Sequence, residues 1–87
     1  MFTVIFGKPD CPYCVTAKEK AEELKQTVDG FNYRYVDIVA EGISKEDLTR
    51  QAGKEVTTVP QIFVGREHIG GCDDFLAWVE KNNELAQ

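Results

Sequence analysis

Apolar residues arrive along this chain in two rhythms. Residues 2–6, FTVIF, form a β-rich run stopped by Gly7, Lys8 and Pro9, which predicts a buried strand. From residue 12 the period changes. Cys14, Ala17, Ala21, Leu24 and Val28 are spaced 3, 4, 3 and 4 apart, one face of an α-helix over 12–28 closed by Asp29-Gly30. FNYRYVDI, at 31–38, is aromatic and β-branched with no breaker, and reads as a second strand. Ser44 is placed to cap a short helix, with Glu46 and Asp47 in its first turn and Gly53 at its end. PQIFV at 60–64 and Glu67 to Ile69 predict a hairpin around Gly65-Arg66, broken by Gly70-Gly71. Asp73-Asp74 then opens a last helix with Phe75, Trp78, Val79 and Asn82 on one stripe.

The predicted order is β-α-β-α-β-β-α. A strand, crossover helix and strand of this length should be parallel and right-handed. The hairpin then adds antiparallel strands to the same sheet. The expectation is one α/β domain, residues 1–87, of thioredoxin-like fold: a four-stranded mixed sheet with helices on both faces.

Composition narrows the partners. Fifteen acids against ten Lys and Arg leave a net charge of −5. No basic cluster interrupts that balance, which argues against nucleic acid and anionic membrane surfaces. Charges of both signs alternate along the helices, as on solvated faces. No apolar run approaches the roughly 18 residues of a membrane span, and the start, MFTVIFGKPD, has the wrong flanks for a signal peptide. Three cysteines allow at most one internal disulfide. An odd count is ordinary where thiols stay reduced, so the expected location is the cytoplasm.

Two of those thiols sit in CPYC, Cys11 to Cys14. Cys11 falls at the strand-to-helix junction, and Pro12 takes the first helical position, where no amide hydrogen is needed. The unpaired amides of that helix would face the Cys11 sulfur, a setting that lowers a thiol pKa from about 8.5 to roughly 3.5–7.5. Lys8 and Lys18 are candidates to add positive potential, of which only Lys8 is close in sequence on the loop side. Cys14 lies one turn on, along the sheet-facing stripe. The pattern therefore predicts Cys11 exposed and acidic, Cys14 buried and protonated. That asymmetry suits disulfide exchange, with Cys11 attacking and Cys14 resolving. A permanent staple would gain little from so small a loop. Zinc is the other alternative, since Cys11, Cys14, Cys72 and His68 make a Cys₃His set. The spacing of its second half is weak, and Pro12 replaces the glycine-bearing turn usual between zinc cysteines. His68, the single histidine, has no evident partner for proton transfer and reads as structural.

TVIFG-x₃-CPYC, YVDI, TVPQIFV and HIGG-x₂-D, in this order and at these distances, resemble the glutaredoxins, and most closely the small dithiol members of enteric bacteria. The resemblance spans nearly the whole chain. It implies a monomeric, cytoplasmic enzyme that uses glutathione to reduce protein disulfides and glutathione mixed disulfides, with ribonucleotide reductase among its partners and no metal. Cys11 and Cys14 would carry the chemistry. Thr58-Val59-Pro60 would be the family's cis-proline loop, its Val59 backbone pairing with the cysteinyl part of glutathione. Gly71, Cys72, Asp73 and Asp74 would hold the γ-glutamyl end, with helix amides on its carboxylate and Asp74 on its ammonium. Tyr13 would lie beside the ligand, and Lys8 and Gln61 are candidates for the glycine carboxylate. Cys72 departs from the pattern, because similar proteins carry tyrosine there. It is expected to be a small packing residue, the alternative being an accessible third thiol. Two other classes stay in view: a thioredoxin-like carrier without a glutathione site, against which CPYC and GG-x₂-D argue, and a module binding zinc or an iron–sulfur cluster.

Overall fold

The computed structural model describes residues 2–82. Its elements are β1 (Phe2–Gly7), α1 (Pro12–Thr27), β2 (Asn32–Asp37), α2 (Lys45–Ala52), β3 (Gln61–Val64), β4 (Glu67–Gly70) and α3 (Cys72–Lys81). They form one four-stranded sheet in the order β2-β1-β3-β4. β1 runs parallel to β2, while β3 is antiparallel to both β1 and β4. The predicted order and the mixed sheet are both present. The ends differ slightly. Val28 caps α1 instead of continuing it, its N–H bonded to the Leu24 carbonyl at 2.8 Å. Gly70 closes β4, and α3 starts at Cys72, one residue before the expected aspartates.

Alternation along β1 divides the core between two faces of the sheet. Ile5 joins Ile62 on one face, beneath Ala17, Ala21 and Leu24 of α1 and Cys72, Phe75 and Val79 of α3. The two alanines let α1 lie close to the strands. Phe75 is fully enclosed, and truncating such a phenylalanine typically costs about 3–5 kcal/mol. The opposite face carries a smaller cluster, Ile38, Leu48 and Val56, against which Phe6 and Val59 pack. α2 reaches this cluster through Leu48.

α2 is held at both ends by local chemistry. The Ser44 hydroxyl accepts from the Asp47 N–H, and the Asp47 carboxylate accepts from the Ser44 N–H, at 3.1 and 2.9 Å. These bonds to Ser44 hold the Asp47 carboxyl below its ordinary pKa, with Arg50 assisting. Gly53 ends the helix in the left-handed conformation, φ 76°.

On β3 and β4, Phe63 pairs with His68 but Ile62 pairs with Gly70. Ile69 is thus an extra residue in the edge strand, a bulge that shifts β4 by one position as it approaches α3.

Thr3 is completely buried in β1, and its Oγ1 has no hydrogen-bond partner. A buried hydroxyl left unpaired costs about 1 kcal/mol or more relative to an apolar group of the same shape. Thr3→Val is therefore expected to stabilise the protein by about 1 kcal/mol in urea unfolding. A loss of stability in that variant would mean that the hydroxyl is satisfied in solution.

Candidate active site

Cys11 occupies the N-cap of α1, in extended conformation at φ −115°, with Pro12 directly inside the helix. The residue before it, Asp10, has φ 60°, a left-handed conformation that aspartate tolerates better than most non-glycine residues. This reversal brings the chain off β1 and turns it into α1. Cys11 and Cys14 are joined as a disulfide. The Cys11 sulfur accepts from the Cys14 N–H at 3.2 Å and lies 3.7 Å from the Val59 carbonyl oxygen. No acidic residue sits in the first turn of α1 to oppose negative charge on that sulfur.

Cys14 is fully buried on the stripe that faces the sheet, as its spacing predicts. Cys11 is not the exposed sulfur expected of it. In the disulfide it is only 7 % exposed, because the bond draws it toward Cys14 and the residue 59 loop leans over it. Lys18 also serves a different neighbour: its ammonium lies 5.0 Å from the centre of the Tyr35 ring. Tyr35 in turn packs beneath Gly7, where a side chain on residue 7 would collide with its hydroxyl.

A cleft of about 330 Å³ is lined by Tyr13, Thr58, Val59, Pro60, Gly71, Cys72, Asp73 and Asp74. Chain segments far apart in sequence build it. Tyr13, 65 % exposed, comes from the first turn of α1. The loop before β3 contributes Thr58 to Pro60, and the Val59–Pro60 peptide is cis. The start of α3 supplies the rest. Here Gly70 has φ 125°, and the Asp74 carboxylate fills the place where a Cβ on Gly70 would sit. That carboxylate accepts from the Gly71 N–H at 3.2 Å, so Asp74 caps α3 while facing the cleft.

Two expected residues stand elsewhere. Lys8 is exposed on the loop after β1 and does not line the cleft. Gln61 is buried, and both ends of its amide are engaged: Nε2 donates to the Thr58 carbonyl at 2.9 Å, and Oε1 meets His68 Nε2 at 2.6 Å. Its burial and these two bonds turn the amide toward the protein, and it does not line the cleft. The sequence also missed this partner of His68, because the contact depends on the β3–β4 register.

Cys72 is 5 % exposed, packs with Ile5 and Phe75, and shows one edge to the cleft. Burial pushes its thiol pKa up, and the charge of Asp73 adds to the effect. Among the described residues, no three His, Cys, Asp or Glu side chains gather where they could hold a metal ion. No helix there is long and apolar enough to cross a membrane.

The glutaredoxin family model matches residues 3–69. The chain belongs to the glutaredoxin family. Glutaredoxin 1 of Salmonella typhimurium is 65 % identical over 85 residues, covering 98 % of each chain. Glutaredoxin 1 of Escherichia coli is 63 % identical over 82 residues, covering 94 % of this chain and 96 % of its own. The solved structure of reduced Escherichia coli glutaredoxin superposes with a TM-score of 0.89 at 62 % identity, covering 97 % of this chain and 99 % of that one. A buckwheat glutaredoxin–glutathione complex matches with a TM-score of 0.68 at 28 % identity, over 95 % of this chain and 71 % of that one. This glutaredoxin is a thiol-disulfide oxidoreductase, and the Cys11–Cys14 pair is its redox disulfide.

The environment of Cys72 sets its reactivity. With the Cys11–Cys14 disulfide intact, iodoacetamide at pH 7.5 should label Cys72 at least tenfold more slowly than in urea-unfolded protein. Equal rates, read by mass spectrometry, would show an accessible third thiol.

Proposed function

We propose that this glutaredoxin works with glutathione as co-substrate, reducing glutathione mixed disulfides and protein disulfides as a single cytoplasmic domain. The observation that carries this reading is the cleft beside the disulfide, with the cis-proline loop on one wall and a helix N-terminus on the other. A tripeptide thiol with a carboxylate at each end needs such a place. The buckwheat relative, a glutaredoxin–glutathione complex, supports it.

In this reading the Cys11 thiolate attacks the glutathione sulfur of a mixed disulfide. A Cys11–glutathione bond forms as the protein–glutathione bond breaks, and the released protein thiolate takes a proton. A second glutathione thiolate then attacks the adduct, leaving oxidised glutathione and Cys11 thiolate. On a protein disulfide, Cys11 forms the mixed disulfide and Cys14 displaces it, giving a dithiol product and the Cys11–Cys14 bond. Two glutathiones reduce that bond. The Cys14 N–H, 3.2 Å from the Cys11 sulfur, stabilises its charge whenever the thiolate leaves or attacks.

Thr58, Val59 and Pro60 would align the cysteinyl part of glutathione by backbone pairing. The amides opening α3, at Cys72 and Asp73, would receive the γ-glutamyl carboxylate. Asp74 would meet its ammonium, and Tyr13 would cover the thiol-bearing segment. Lys8 remains the candidate for the glycine carboxylate, while Gln61 is already committed within the protein. Ribonucleotide reductase, which the family resemblance suggests, would be one protein substrate. The working unit in this reading is the monomer.

Turnover of a glutathione mixed disulfide, coupled to glutathione reductase and NADPH, tests this reading. Cys11→Ser should abolish activity. Cys14→Ser should retain it on this substrate and lose it on a protein disulfide. Folded wild-type protein without turnover would overturn the assignment. Cys72→Tyr, by adding an aromatic wall, should lower KM for the mixed disulfide by roughly three- to tenfold. An unchanged KM would mean that position 72 does not touch glutathione.

A further inference from the structure

Gln61 and His68 lie outside the cleft, yet a continuous line of hydrogen bonds joins them to its wall. Gln61 is the first residue of β3 and is 7 % exposed. His68 sits on edge strand β4 as the cross-strand partner of Phe63. Residues 61 and 63 project from the same face of β3, so Gln61 and His68 share that face. The His68 ring tilts against Phe63, with ring centres 4.9 Å apart, which fixes where its Nε2 points.

The donors can be assigned by elimination. The Thr58 carbonyl can only accept, so the Gln61 nitrogen must face it, as the 2.9 Å contact requires. Gln61 Oε1 then accepts from His68, and His68 Nε2 carries the proton. The direction of the line is His68 to Gln61 to Thr58. Thr58 is itself exposed, next to the residue whose carbonyl stands 3.7 Å from the Cys11 sulfur. A loop that exposed needs an internal tether if it is to present a fixed backbone edge. Gln61 supplies one from within the sheet.

We propose that Gln61 and His68 are positioning residues for the disulfide exchange, a brace that holds the 58–60 wall in register with the Cys11 sulfur. This inference rests on the reading of the cleft as a glutathione site. The brace acts on where the substrate lies, and contributes nothing to the exchange of sulfur bonds itself. Its loss therefore falls on KM for a glutathionylated peptide.

The test uses steady-state turnover of a glutathionylated peptide by the full chain. Gln61→Met keeps the side-chain length and removes both bonds. His68→Phe keeps the ring against Phe63 and removes only the donor. Gln61→Met is expected to raise KM roughly three- to tenfold with kcat within twofold, on the scale of the one bond that reaches the loop, that to the Thr58 carbonyl. His68→Phe should show a smaller rise of the same kind. His68→Gln, whose amide nitrogen can replace Nε2, should restore a KM near that of wild type. The double variant should be no worse than Gln61→Met, since the two residues act in one line. Val79→Ala, a core truncation in α3 away from the cleft, should lower Tm and leave KM unchanged. Unaltered KM in Gln61→Met, or a matching KM rise in Val79→Ala, would overturn the brace while leaving the glutathione reading intact. Wild-type protein that fails to turn over the peptide would overturn both.

Discussion

Two backbone groups compete for the Cys11 sulfur. The Cys14 N–H, at 3.2 Å, favours negative charge on it, whereas the Val59 carbonyl, at 3.7 Å, favours a proton or a second sulfur. Neither group belongs to a side chain, so mutation elsewhere cannot remove them without moving the chain. The N–H is fixed by the first turn of α1, and the carbonyl by a loop that packs on the α2 cluster through Val59. The fold as a whole thus exists to bring a helix start and a loop end together across one atom. The parallel β1–β2 pair aims α1, and the antiparallel β1–β3 pair aims the loop.

The two layers of core have correspondingly different work. The larger layer, centred on Ile5 and Phe75, binds α1 and α3 to the same face, which places both helix starts at one end of the sheet. Their amides converge on the cleft from two sides. The smaller layer under α2 secures the loop between them. A net charge of −5 does not conflict with the proposed glutathione reading, since helix dipoles act locally and at short range.

Much of this was legible in the residues themselves. The spacing from Cys14 to Leu24 specified the buried face of α1, and Ser44 with Asp47 specified how α2 begins. The alternation and breakers of 60–71 were enough for the hairpin. The cis-proline conformation of the 58–60 loop was legible only through resemblance, because TVP has no periodicity of its own. Three features were not legible. Cys11 is covered by a loop nearly fifty residues away in sequence, Gln61 is spent inside the protein, and His68 has a partner. Each is a contact between segments whose relative register no local pattern encodes. The bulge at Ile69 makes the point: one additional residue in β4 changes which side chains meet across the hairpin.

That same bulge bears on association. The four residues of β4 form an outer edge of the sheet, where free backbone groups could recruit a strand from another molecule. An irregular edge offers only a broken ladder to such a strand, and Glu67 adds a charge at its entrance. The far edge, β2, carries exposed Asn32 and Arg34. A sheet blunted on both sides resists growth into fibres, even though its strands end beside an open cleft.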